Sequence, residues 1–188
     1  MLRIRLIAPA AILSALLAGF LLFSPRDAGE WATASAQGAS PSPGSQFFLK
    51  IDGVDGEATE TDHGGELALR SFSWSETKNL DTSSRVQTKD FHASMAFEKS
   101  SPVLMRKTAV RERIAKAVLT ARNGNGQDYL KWTMTDVILT GFQVEGTWGT
   151  GRPTASFDMN VGKMDLEYRP QLYNGGLGPA TKTGWEAK

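Results

Sequence analysis

His63 and Glu66 stand three residues apart in HGGE, residues 63 to 66. An imidazole at that spacing could serve as a general base and the carboxylate could orient it. Ser71, Ser73 and Ser75 follow within HGGELALRSFSWSE and could offer a nucleophile. None of them sits in a G-x-S-x-G elbow, the strained turn that exposes a serine hydroxyl in hydrolases. The stronger reading of His63 is structural. It precedes a Gly-Gly turn, where a hydrogen bond from its ring would anchor the start of the next strand.

Other groups invite similar questions. Asp52, Asp55, Glu57, Glu60 and Asp62 form an acidic cluster. Calcium favours such oxygens, but the spacing D-G-V-D-G-E does not fit an EF-hand loop. Acidic residues in surface turns account for it. GTWGTGRP, residues 146 to 153, lacks the Lys-Ser/Thr of a phosphate-binding loop. Trp132, Trp148 and Trp185 could line a sugar site, but core packing or subunit contact explains them better, because Trp132 lies on an apolar strand face. The chain of 188 residues holds no cysteine and two histidines. Disulfides and thiolate chemistry are therefore excluded, and little remains for a zinc site. The formal charge of +1 supplies no basic field for nucleic acid. No cofactor and no metal is expected.

The elements that would position these groups are mostly strands. Phe47 to Ile51 is short and apolar, and Gly53 and Gly56 mark a turn after it. Leu67 and Leu69 then alternate with polar neighbours, but Phe72 and Trp74 are apolar in the opposite phase. A slip of one residue turns later side chains to the other face unless a bulge absorbs it. The pattern predicts a bulge near Arg70 and Ser71. Residues 76 to 90 are polar and without period, which predicts a long loop. Phe91, Ala93, Met95 and Phe97 alternate cleanly.

One helix is predicted, from Pro102 to about Arg113. Ser101 would cap it, and Val103, Met105, Ala109 and Val110 would form its buried side. Arg106, Lys107, Arg111 and Arg113 would face solvent. Strands resume with Ala117, Leu119 and Ala121, and Asn-Gly-Asn-Gly at 123 to 126 predicts a hairpin. The returning strand slips at Asp136, and the strand after the 146 to 153 loop slips at Gly162. Three slipped strands point to a sheet that bends around a closed or nearly closed core.

The N-terminus differs in kind. Arg3 and Arg5 precede an uncharged apolar run from Leu6 to Phe23, and Ala34-Ser35-Ala36 fits a small-residue cleavage pattern. Residues 1 to 36 read as a signal peptide, or as an uncleaved anchor in the inner membrane. Both place the rest of the chain outside the cytoplasm, periplasmic or extracellular. Residues 37 to 45, QGASPSPGS, form a Ser/Pro/Gly spacer, and residues 46 to 188 form the folded domain.

In order along that domain come FFLKIDGVDGE, HGGELALRSFSWSE, KDFHASMAFEKSSPVLMRK, YLKWTMTDVILTGF, DLEYRPQ and TGWEAK. Together they resemble the Hcp family (hemolysin-coregulated protein), the tube protein of type VI secretion, from about Phe47 to Lys188. The resemblance implies a mainly β fold, a barrel-like pair of β-sheets with bulged strands and one short helix at its side. It implies a structural rather than an enzymatic role: a hexameric ring that stacks into a tube and carries secreted effectors. It also assigns an assembly role to the loop, with Thr77, Lys78, Asn79, Leu80, Asp81, Arg85 and Val86 as contacts to a neighbouring subunit or ring. Tube subunits of that family lack a signal peptide, so the leader marks this chain as an exported relative. The alternative is a monomeric or membrane-tethered extracytoplasmic binding module or adhesin on the same fold.

Overall fold

The structure, a computed structural model, describes residues 44–78, 86–149 and 151–186. Ala34, Ala36 and the leader lie outside the described residues. The strands are β1 (Gln46–Ile51), β2 (Leu67–Ser73), β3 (Glu76–Lys78), β4 (Val86–Thr88), β5 (Phe91–Ala96), β6 (Arg113–Arg122), β7 (Asp128–Glu145), β8 (Thr154–Tyr168) and β9 (Thr181–Glu186). The helix α1 (Ser101–Val110) lies between β5 and β6.

The wall runs β5-β2-β1-β6-β7-β8, and β8 pairs again with β5, so six antiparallel strands close into a barrel. Closure leaves no edge within that ring of strands. Leu49, Leu67, Phe91, Leu119, Met134, Leu139, Phe157 and Met159 fill the interior and are almost fully buried. The mainly β, bulged barrel with one short helix is the architecture that the sequence predicts.

The three slips have two distinct structures. In β2 the register against β5 shifts between Leu69 and Ser71, which is a bulge at the expected place. Leu69 enters the core before it, and Phe72 packs against the core after it. The slips at Asp136 and Gly162 are one feature. Thr135 pairs with Lys163 and Val137 pairs with Val161, so the register is unchanged while both strands change phase together. Asp136 adopts a left-handed φ of 56°, which aspartate tolerates better than most residues. A Cβ on Gly162 would lie 2.9 Å from the Cβ of Asp136, so glycine is what allows the two backbones to kink side by side. The sequence did not reveal a further register shift in β7 between Leu139 and Gly141.

The helix corrects several expectations. Ser100, not Ser101, is its N-cap residue, and it makes no side-chain cap. Ser101 is already helical, and its hydroxyl accepts the Glu98 N–H at 3.0 Å. The helix stops at Val110 because Arg111 turns left-handed (φ 50°) and the Glu112 N–H closes onto the Lys107 carbonyl. Arg113 begins β6 instead. The buried residues are Ser101, Leu104 and Lys107, whereas Met105 and Val110 are exposed. Lys107 can be buried because its ammonium pairs with Glu112. The apolar residues of the helix, Val103, Leu104, Met105, Ala109 and Val110, are spread around the axis, so periodicity alone could not choose its inner face.

Candidate functional site

Residues 74–78 and 86–90 leave the barrel, and these described residues are not a structureless loop. Glu76, Thr77 and Lys78 pair with Thr88, Gln87 and Val86 in a separate two-stranded sheet. β2 and β5 pair through Ser73 and His92, close to the first rung of β3 and β4 at Glu76 and Thr88. The two hairpin arms therefore prolong β2 and β5 outward as a ribbon, joined at the bend by the Lys89 N–H bonded to the Ser75 carbonyl at 2.9 Å. The absence of a hydrophobic period misled the sequence reading. Glu76 and Thr77 are exposed, and strand residues that bury no side chain have no need of one.

Why the ribbon departs follows from β8. Thr154 to Met159 pair with β5, and Lys163 to Tyr168 pair with β9 on the same side, β7 being on the other. β9 thus occupies the place beside β8 that the backward extension of β5 would take. Each arm is fixed where it leaves. Asp90 accepts the Thr140 hydroxyl at 2.6 Å and the Asn160 amide at 3.0 Å. On the other arm Trp74 packs edge-on against Trp132 and Trp185, with centroids 5.8 and 6.3 Å apart. Trp132 and Trp185 thus pack against the core, whereas Trp148 is fully exposed. Of the predicted contact residues, Thr77, Lys78 and Val86 lie on the paired arms, while Asn79, Leu80, Asp81 and Arg85 lie outside the described residues.

His63 has the anchoring role. It lies in a strap between β1 and β2, and its ring stacks on Phe48 at 4.3 Å. Phe48 faces away from the barrel interior, and the strap buries it. Nδ1 of His63 lies 2.9 Å from a Glu66 oxygen, and Nε2 lies 3.3 Å from Asp128. Both ring nitrogens face carboxylates, so neither is directed at a serine. Arg122 completes the cluster, donating to Asp128 at 2.6 Å and to the Thr61 carbonyl at 2.8 Å, and pairing with Asp62 at 3.5 Å. Asp128 and Arg122 escaped the sequence reading because they come from the β6–β7 hairpin, 65 and 59 residues along from His63.

The rest of the acidic cluster is dispersed. Glu57 accepts the Lys99 N–H at 3.0 Å and pairs with Arg152 at 3.1 Å. The Lys99 N–H first, and then Arg152, hold its carboxyl below the usual range. An open groove beside the strap is lined by Lys50, Lys116 and Lys131 together with Asp62, Glu66 and Asp128. Mixed signs give it no uniform field for a phosphate backbone.

Burial pushes the Asp128 carboxyl up, but the hydrogen bonds and charges of Arg122 and His63 outweigh it and hold the group below its ordinary range. A depressed carboxyl contributes stability above its unfolded pKa and loses it as pH falls through the folded one. We expect wild-type stability to drop as pH falls below about 4. Asp128→Asn should be less stable at neutral pH and should have a shallower acid limb. Urea midpoints between neutral and acidic pH would show it, and parallel acid limbs would refute the assignment.

Comparison with known proteins agrees with this geometry. The family model described as "Type VI secretion system effector, Hcp" matches residues 48–168. Protein hcp1 of Pseudomonas aeruginosa is 26% identical over 153 residues, covering 76% of this chain and 94% of that protein. The crystal structure of Hcp1 from Salmonella typhimurium superposes with a TM-score of 0.66 at 26% identity, covering 76% of this chain and 94% of the other. A type VI secretion system effector from Yersinia pestis shares the fold, with a TM-score of 0.64 at 23% identity over 75% of this chain and 99% of its own. A barrel closed by six strands, its superposition on Hcp1 and a family match across most of the barrel place the chain in the Hcp family of type VI secretion tube proteins.

Proposed function

We propose that the chain is an exported ring subunit that closes a homohexamer by repeating one heterologous contact, with the β3–β4 ribbon as the protruding half of that contact. The observation that carries this reading is the ribbon itself. Its sheet has two strands, and neither outer edge pairs with anything among the described residues. A bare two-stranded ribbon is marginal in water, yet both of its roots are fixed to the barrel by Asp90 and Trp74. A neighbouring copy would supply the missing support. The same contact repeated around an axis closes a ring, and any loss per contact recurs at each interface.

Replacing residues 79 to 86 with a short Gly-Ser turn should leave circular dichroism and melting nearly unchanged, because long loops contribute little to stability. Light scattering should then show smaller assemblies, and electron microscopy fewer stacks. Loss of the fold would make the ribbon tip structural. Unchanged mass and stacking would remove it from the interface. A wild type that stays monomeric at high concentration would favour the tethered binding module instead.

Export is the second part of the proposal and rests on Arg3, Arg5 and the apolar run from Leu6 to Phe23. Effector carriage is proposed with it, in line with the family. Residues 1 to 45 fused to a reporter active only outside the cytoplasm should give signal, and Ala36→Leu should slow processing. Native protein recovered soluble from cytoplasm with Met1 intact would refute export.

A further inference from the structure

We propose that Ser73, His92 and Asp158 form an acyl-acceptor site on the outer wall of the barrel, where Ser73 takes a single acyl group from an activated ester or thioester. The three residues come from three adjacent strands on one rung. Ser73 of β2 is the cross-strand partner of His92 of β5, and His92 is the partner of Asp158 of β8. Directly opposed residues share a face, with Cβ atoms about 5 Å apart. The next rung on the same face, two residues along, agrees, since the Ser71 and Ser94 hydroxyls bond to one another at 2.7 Å.

The tautomer follows from the contact. Nδ1 of His92 lies 2.8 Å from Oδ1 of Asp158. An ionised carboxylate only accepts, so in the neutral ring Nδ1 carries the hydrogen and Nε2 keeps its lone pair. Among the described residues neither that nitrogen nor the Ser73 hydroxyl has a hydrogen-bond partner. This is the opposite of His63, whose two nitrogens both meet carboxylates. The side chains of His92 and Asp158 are 46% and 43% exposed, within reach of a small acyl donor.

Asp158 is held in place from behind. It pairs with Gly141 across β7, just past the register shift. A Cβ on Gly141 would come within 2.6 Å of the second carboxylate oxygen. The glycine leaves room for the carboxylate to lie against the β7 backbone and turn its other oxygen to His92. His92 and Asp158 are thus paired as base and orienter are in serine acyl transfer, with Ser73 one strand away on the same rung. Ser73 lines neither the groove beside the strap nor the one along β9, so the donor must itself be reactive and the acyl group should stay on the serine.

In the step, the Ser73 oxygen bonds to the acyl carbon, and the bond from that carbon to the leaving oxygen or sulfur breaks. The leaving group departs as a phenolate or thiolate. The serine proton passes to Nε2 of His92 and then to water, while Asp158, as a positioning residue, stabilises the imidazolium.

The test uses the full chain and p-nitrophenyl acetate. We expect a burst of about one equivalent of p-nitrophenolate per chain, and one acetyl group on the peptide that contains Ser73. Ser73→Ala should abolish both. His92→Gln should slow the burst about 100-fold. Asp158→Asn should slow it at least about tenfold, whereas Asp158→Glu should restore most of the rate. Ser71→Ala should react as the wild type does. Circular dichroism would confirm that each variant is folded. Acetylation confined to lysines would overturn the proposal. So would a burst that survives in Ser73→Ala, which would make the imidazole the nucleophile, or Ser73 acetylation at the same rate in His92→Gln.

Discussion

Gly56→Ala should cost about 3 kcal/mol and lower the melting temperature by about 10 °C. A Cβ at this position would lie 2.1 Å from the Glu66 carbonyl oxygen and 2.7 Å from the Leu67 nitrogen. These are backbone atoms, so nothing can rotate aside. The strap is closed here by the Gly56 N–H to the Gly65 carbonyl at 2.7 Å and the Ala58 N–H to the Glu66 carbonyl at 3.0 Å. An added methyl group must break those bonds or push the strap from Phe48. Gly65→Ala is the control. Its φ of 79° disfavours a side chain, but nothing lies within 4 Å of the added carbon. That substitution should cost about 1 kcal/mol. Differential scanning calorimetry of both variants decides the matter, and equal melting temperatures would mean that the strap does not close on Gly56.

Arg122→Ala should cost about 2–3 kcal/mol, less than a fully buried pair. The guanidinium is nearly buried and serves Asp128, Thr61 and Asp62 at once. Its loss strands the Thr61 carbonyl and leaves Asp128 facing Glu66 across His63. The Asp128 side chain is 40% exposed, so water relieves part of the penalty. Arg122→Lys keeps the charge but loses the fork, and should fall between. In a double-mutant cycle, Arg122→Ala with Asp128→Ala should cost less than the sum of the singles. Strict additivity in urea unfolding would show that the two side chains act independently.

How much of this could be read beforehand depended on the range of the interaction. The bulge at Leu69 to Ser71 and the phase changes at Asp136 and Gly162 were legible, because a period-two pattern records each residue's face. That two of these slips face one another was not legible, since facing is a matter of register between strands. α1 was placed, but its inner face was misjudged. Leu104 and a paired Lys107 line it, and no periodicity announces a buried lysine whose partner is Glu112. His63 was rightly read as an anchor. Its distant partners were invisible, because nothing local links residue 63 to residue 128. Ser73 was weighed only beside His63, and its link to His92 was invisible for the same reason. Ser73 and His92 are far apart in sequence and share a rung only because β2 and β5 pair.

The facing kinks at Asp136 and Gly162 also restrict how this chain can vary in length. Removing Asp136 alone would set Val137 opposite Gly162 and turn inward residues of β7 against outward residues of β8 along the rest of the ladder. Removing Gly162 alone would do the same from the other side. Removing both restores the pairs between β7 and β8, but β6 runs beside β7 here, with Ile114 against Val137 and Lys116 against Thr135, so Ala115 must go as well. The three positions therefore behave as one heritable unit: a length change at this rung is tolerable when all three strands share it, and a lone insertion or deletion there inverts half of a barrel wall.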